Sequence, residues 1–340
     1  MKRKKITIYA LMILVFIISI ACQATTFGKS PTATVDLNAT VNAAVAATEN
    51  AETMIKTTVD SAVLATITAM PPHPSPTPVN SDDLSEEDLA DEVNNAVTEA
   101  NNASQQSSNY TDQATSDNTL TYQEAYEMAY YYGLSQAEIE EALYLAELYL
   151  SLYYELAEDT VELLTIVVED LEQLASTTSE ALNSVENIIQ VLEDGQIIDT
   201  ELIKSLSDYN DLIGNQIQDL DIKSNEWIDT LKGSFELRAS EFINLEANQI
   251  AGDRIGALNI ARDYINSINS SLSDGILSRE ELFSIAQLGA NASASINQFG
   301  GPQLNNISGN INNLTGQLAR GQLPQAKSSV GELSNLIPRR

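Results

Sequence analysis

From about Thr119 to the C-terminus, apolar residues return at intervals of three, four and seven, and no stretch alternates in the manner of a strand. Counting by sevens from Ile139 gives Ala146, Tyr153, Thr160, Val167, Leu174, Ala181 and Ile188. Beside that column run Leu143, Leu150, Ala157, Leu164, Leu171, Thr178, Val185 and Leu192, so only two threonines interrupt two apolar columns. Heptads sustained this long predict packing against partner helices rather than a helix lying on a surface. At 1.5 Å per residue, one helix over 136–193 would span about 85 Å. Thr121 stands three before Glu124, and Ser135 three before Glu138; both pairs are capping boxes, and Gly133 between them suits a helix terminator. A short helix over 122–132 is therefore expected to lead into the long one.

A second long helix is predicted over about 199–272. Leu206, Ile213, Leu220 and Trp227 repeat at seven, then the phase shifts to Phe235 and Phe242, and again to Leu258, Ile265 and Leu272. Such shifts mark bends, with Gly252 and Gly256 as weak points. A third helix over 279–298 ends at Gly300-Gly301-Pro302, and Leu304 to Leu318 and Leu323 to Ile337 make a fourth and a fifth. The fold class is all-α: long helices joined by short turns double back into an elongated antiparallel helical bundle with coiled-coil-like hairpins, following a disordered stalk.

The chain before Thr119 reads differently. Residues 22–70 are rich in Thr and Ala and form a stalk, with apolar spacing that permits a helix over about 37–68. The run PPHPSPTP at 71–78 favours extended polyproline II, and His73 within it reads as a solvated linker residue. From Asp82 to Asn118 an acidic stretch passes into SQQSSNYTDQATSDN, too polar to offset chain entropy by burial, although a helix over about 86–103 can form within it. The organisation is thus 1–21 a signal peptide, 22–70 a stalk, 71–118 a linker and 119–340 the helical body.

The signal peptide rests on Lys2, Arg3, Lys4 and Lys5, followed by the apolar run Ile6 to Ala21, which is short for a membrane span. The run closes on Ser19-Ile20-Ala21-Cys22, which resembles the lipobox of bacterial lipoproteins and departs from it at Ser19, where that family carries Leu. The resemblance implies that Cys22 is acylated and becomes the first residue of the mature chain. Cleavage without lipidation and an uncleaved anchor are the other readings; all three export the chain. Cys22 is the one cysteine and His73 the one histidine, which leaves no internal disulfide, no thiolate metal site and no Ser-His-Asp arrangement of ordinary promise. With 17 Lys and Arg against 48 Asp and Glu, a net charge of -31 repels phosphate backbones, so nucleic acid is not an expected partner.

Two turns invite a metal reading. Asp194-Gly195 with Glu201, and Asp274-Gly275 with Glu281, resemble the second half of an EF-hand loop. Gln190 and Leu192, or Ser270 and Leu272, stand where the first oxygen ligands belong, and calcium needs six or more oxygens. No metal and no cofactor is expected; an Asp-Gly helix stop followed by a new N-cap explains the same letters. Nine of 13 tyrosines lie between 122 and 154, and LYLAELYLSLYYELA at 143–157 is apolar nearly all round. Tyr126, Tyr130, Tyr144, Tyr149 and Tyr153 are the candidate interaction surface, for a protein partner or for a second copy of the chain. The competing reading is a central bundle helix whose hydroxyls reach the surface. Carboxylate pairs such as Glu140 with Glu141 or Glu169 with Glu172 sit between the apolar columns, as solvated helix faces do. The expected function is a non-enzymatic structural or protein-interaction module of the cell envelope, held to the membrane by lipid; the alternative is an extracytoplasmic ligand-binding or sensing protein using the Tyr-rich region 122–154.

Overall fold

The computed structural model describes residues 84–273 and 275–338. The signal segment with Cys22, the stalk, the proline run with His73, and Asp274 lie outside the described residues. By its packing the chain divides between Ala69 and Met70, and all described residues belong to the second unit. Among them the fold is all-α, an antiparallel helical bundle, as the apolar periodicity predicts. Eight helices follow one another: α1 Glu86–Thr115, α2 Tyr122–Tyr153, α3 Glu158–Glu193, α4 Thr200–Ile243, α5 Arg254–Ser271, α6 Arg279–Phe299, α7 Asn305–Ala319 and α8 Leu323–Leu336.

The first four close a ring in which α1 packs on α2, α2 on α3, α3 on α4 and α4 on α1. The Tyr122 hydroxyl at the start of α2 reaches Glu193 at the end of α3, so α2 and α3 run antiparallel. The last four repeat the scheme on a smaller scale: α5 on α6, α6 on α7, α7 on α8, and α8 back on α5, with α7 also seated against α4. The heptad columns face the first core. In α3, Leu164, Val167, Leu171, Leu174, Thr178, Ala181, Val185 and Ile188 are buried, and in α4 Leu206, Ile213, Leu220 and Trp227 are.

Where the fold departs from the periodicity, tertiary contacts have overridden local signals. The helix expected over 136–193 is folded in half at Tyr154–Ala157, with no Gly or Pro to announce the turn. Ala157 makes no side-chain cap, but the freed carbonyls of the turn find distant partners: Arg279 N–H donates to Glu155 O at 3.3 Å, and Arg238 Nη1 to Leu156 O at 3.0 Å. Conversely, the stop expected at Gly133 is absent. α2 runs through it, and Ser135 is a buried helix residue whose hydroxyl lies 2.6 Å from that of Ser104. Thr121 with Glu124 caps α2 as expected.

The second long helix is likewise two helices, with a loop over 244–253 at the phase shift. Its amides are satisfied from α6: Asn248 N–H and Gln249 N–H donate to Asn291 Oδ1 at 2.9 and 3.1 Å, and Ala251 N–H to Ser295 Oγ at 2.9 Å. The largest correction concerns the start of the body. Residues expected to form a linker make α1, a full member of the first ring, with Leu89, Val93 and Val97 in the core. Ser107 and Thr111 could be buried because they are small and bonded: Ser107 Oγ donates to Ser104 O and Thr111 Oγ1 to Ser107 O, each at 2.8 Å. Among the described residues the body therefore extends back from Thr119 at least to the Ser85 capping box.

The two rings meet at a buried ion pair. Glu86, the first residue of α1, is wholly buried and takes hydrogen bonds from Arg238 Nη2 of α4 and from the Tyr149 hydroxyl of α2, the latter at 2.9 Å. Arg238 also donates through Nε to Ala319 O at the end of α7. The backbone closes the same joint, Glu86 N–H donating to Gly321 O at 3.1 Å. Gly321 has φ +67°, and a Cβ there would lie 2.3 Å from the Glu86 carboxylate. Two requirements thus exclude a side chain at one position. Burial pushes the Glu86 carboxyl above the ordinary carboxylate range, against the opposing pull of the Arg238 charge and the hydrogen bonds from Tyr149 and Arg238.

Arg238→Met should therefore cost about 3–5 kcal/mol in urea unfolding, because it strands a buried carboxylate. Gly321→Ala should cost more than about 2 kcal/mol through left-handed strain and overlap with Glu86. Stabilities within about 0.5 kcal/mol of the parent for both variants would show that the joint contributes nothing.

Candidate functional site

The candidate interaction tyrosines do not share one face. Tyr149 and Tyr153 point inward near the joint: Tyr149 packs edge-on against Trp227 with centroids 5.5 Å apart, and Tyr153 donates to Leu84 O at 3.3 Å. Both are buried, so neither is available to a partner. Tyr126 and Tyr130 are half-buried in the first half of α2. The Tyr122 and Tyr126 hydroxyls lie 2.9 Å apart and both face Glu193 Oε1, at 2.6 and 3.1 Å. Tyr130 meets Tyr131 edge to face, and Tyr131 packs at a tilt against Tyr110, which donates to Glu127. Tyr144 is exposed between these two groups. An i, i+4 pair shares a helix face, whereas the step from Tyr130 to Tyr144 covers about 21 Å along the axis. The Tyr-rich segment is thus a core residue set at one end, a knitted half-buried set towards the other, and one exposed ring.

The turns read as EF-hand-like hold helix ends. Gly195 (φ +66°) directly follows the C-cap Asp194 as a left-handed terminator, whereas Gly275 (φ +83°) lies in the turn beyond the C-cap Leu272. Asp194 and Glu201 are exposed, and the N-cap of α4 is Asp199, whose carboxylate accepts from Glu201 N–H at 3.1 Å. Glu281 serves its own capping box, accepting from Ser278 N–H and Oγ at 3.1 Å each. Among the described residues, no three His, Cys, Asp or Glu side chains are grouped to hold a metal ion.

The surface feature that sequence reasoning missed lies where the two rings join. Arg279, at the start of α6, reaches across to both long helices of the first ring, Nη1 to Asp159 of α3 and Nη2 to Glu241 of α4, each at 3.1 Å. Burial works against the Arg279 charge, but the hydrogen bonds and charges of Asp159 and Glu241 outweigh it and hold the guanidinium above its usual pKa. Three open depressions have Arg279 on their walls. The largest, about 870 Å³, runs along α3 with Tyr154, Val161, Ile166 and several glutamates on its walls. A second, about 400 Å³, includes Leu237, and a third, about 490 Å³, includes Phe283. Tyr154, Leu237 and Phe283 are 60%, 74% and 51% exposed, one on the wall of each depression that Arg279 lines. None of the five candidate tyrosines lines these depressions.

Comparison with protein-family models, with curated proteins and with solved structures returns no match for this chain. Among the described residues, no helix is long and apolar enough to cross a membrane. Glu86 is the one carboxylate among them that is wholly buried, and three hydrogen bonds occupy its carboxyl and amide, which leaves no open space beside it for a substrate.

Two measurements follow. Tyr149→Ala should cost about 3–5 kcal/mol, because a large ring leaves the core and Glu86 loses a donor, whereas Tyr144→Ala should stay within about 0.5 kcal/mol. Equal effects would contradict the division of the Tyr-rich segment. The second is an alkaline titration. Burial pushes the Tyr132 phenol from 10.0 up to about 12, and burial likewise raises Tyr149, Tyr153 and Tyr264. The folded state prefers the neutral phenols, so their stabilising contribution is complete below pH 10.0 and is lost as pH rises towards about 12. Phenolate absorbance from this buried set should therefore appear together with loss of the helical circular dichroism. Full ionisation near pH 10.0 in a chain that keeps its helical signal would contradict the burial.

Proposed function

We propose that the chain is an exported cell-envelope protein, lipid-anchored through Cys22, whose helical body acts as a protein-interaction module without catalytic activity. The observation that supports this reading most is the open groove at the junction of the two rings, where the exposed Tyr154 and half-buried Val161 and Ile166 stand among carboxylates. A catalytic carboxyl would need a dry, closed setting that shifts its pKa towards the working range. An open groove with an apolar wall is instead the form of a surface that meets another macromolecule. Acyl chains at Cys22 supply about 0.8 kcal/mol per buried methylene, and with a net charge of -31 no electrostatic attraction to anionic lipid assists them, so two or more chains would be needed.

Metabolic labelling with an alkynyl fatty acid in a bacterial host checks the anchoring. The intact chain should carry label and Cys22→Ser should carry none; absence of label from both would remove the anchored reading.

A further inference from the structure

The groove along α3 has a geometry that specifies its occupant. Glu158, Val161, Glu162, Thr165, Ile166 and Glu169 follow the spacing i, i+3, i+4, i+7, i+8, i+11, which places all six on one face. It is separate from the heptad stripe through Leu164, Val167 and Leu171 that faces the core. α3 therefore carries an apolar stripe covered by its neighbours in the ring and a second, mixed face of three glutamates with half-buried Val161 and Ile166, which forms a groove wall with Tyr154 and the start of α6. From Glu158 to Glu169 the face is about 16 Å long, three helical turns. Glu155 and Glu280 add their carboxylates to the rim. The one cation on it, Arg279, is already held by Asp159 and Glu241.

We propose that this groove docks a cationic amphipathic helix of a partner protein, with apolar side chains against Tyr154, Val161 and Ile166 and Lys or Arg side chains against Glu158, Glu162 and Glu169. Charge complementarity selects this occupant. Glu158, Glu162 and Glu169 are spread over about 16 Å of one helix, so they cannot converge on a single metal ion, but they match basic residues repeating once per turn on an opposing helix. A small polycation would leave the apolar half of the wall unused. A second copy of this chain is a poorer match in charge, since its acidic residues outnumber basic ones 48 to 17 and, among the described residues, no α-helix carries a basic residue in its last turn. Apolar contact supplies the docking energy, and the carboxylates supply steering and register.

The inference rests on the interaction-module reading and names the partner's chemistry. The test uses the full chain in zwitterionic-lipid nanodiscs and a fluorescent 18-residue Leu/Lys peptide with its lysines on one helical face, read by anisotropy with empty discs subtracted. Saturable binding is expected, weakening at least tenfold in Glu162→Lys/Glu169→Lys and in Ile166→Ser, and remaining within twofold in Asp208→Lys/Glu226→Lys on the exposed face of α4. Circular dichroism melts identical to the parent confirm that the variants fold. No binding, equal binding of a sequence-scrambled Leu/Lys peptide, or equal loss in the α4 pair would overturn the proposal. Failure here with Cys22 acylated removes the groove and leaves the anchor; absent acylation with the peptide bound removes the anchor and leaves the groove.

Discussion

A buried guanidinium holds this body together. Arg238 contacts three segments that are far apart in the chain: the Glu86 carboxylate where α1 begins, the Leu156 carbonyl where α2 turns into α3, and the Ala319 carbonyl where α7 ends. Burying a charge costs several kcal/mol unless it is paired and its donors are used, and here the planar fork meets acceptors on three sides. A lysine would offer a single point charge and could not span them. Each acceptor is itself a group that would otherwise be orphaned, since two are helix-end carbonyls and the third is a carboxylate with no access to water. Arginine and acceptors thus satisfy one another.

That arrangement explains which parts of the fold were legible. Helix type and core face were readable because they depend on local spacing: the columns through Val167, Leu174 and Ile188, or through Leu206, Ile213 and Trp227, need only the 3.6-residue period to find their side of the helix. Chain reversal at Tyr154–Ala157 was not readable. The residues there are good helix formers, the apolar register passes through them uninterrupted, and the groups that end the helix belong to Arg238 and Arg279, more than 80 residues away. The membership of α1 was hidden for a related reason. Hydrophobicity alone marks Ser104, Ser107 and Thr111 as solvent-seeking, whereas close packing of small side chains and hydrogen bonds to preceding carbonyls make their burial tolerable.

The candidate site was legible only in fragments. The Tyr-rich segment stood out by composition, yet composition cannot say that Tyr149 turns inward while Tyr144, five residues earlier, turns out. The depressions around Arg279 draw on residues of α3, α4, α6 and the α2–α3 turn, and no window of sequence contains them together. One clue was present: between the heptad positions of α3, Val161 and Ile166 are apolar where a solvated face would carry charge. Both ring neighbours of α3, α2 and α4, meet its heptad side, and Val161 and Ile166 lie on the groove wall instead.

The sequence separation of the groups at the joint has a kinetic consequence. The Glu86 carboxylate and Arg238 lie 152 positions apart, and the Glu86 amide bonds to Gly321, still farther along. A chain emerging amino end first has α1 and α2 available long before the groups that neutralise Glu86 exist. Until α4 arrives, and α7 and α8 behind it, the first hairpin must keep an ionisable side chain at its root hydrated and its ends apart. Among the described residues, the joint that Glu86 opens is thus complete only when segments from α4 to α8 have reached it.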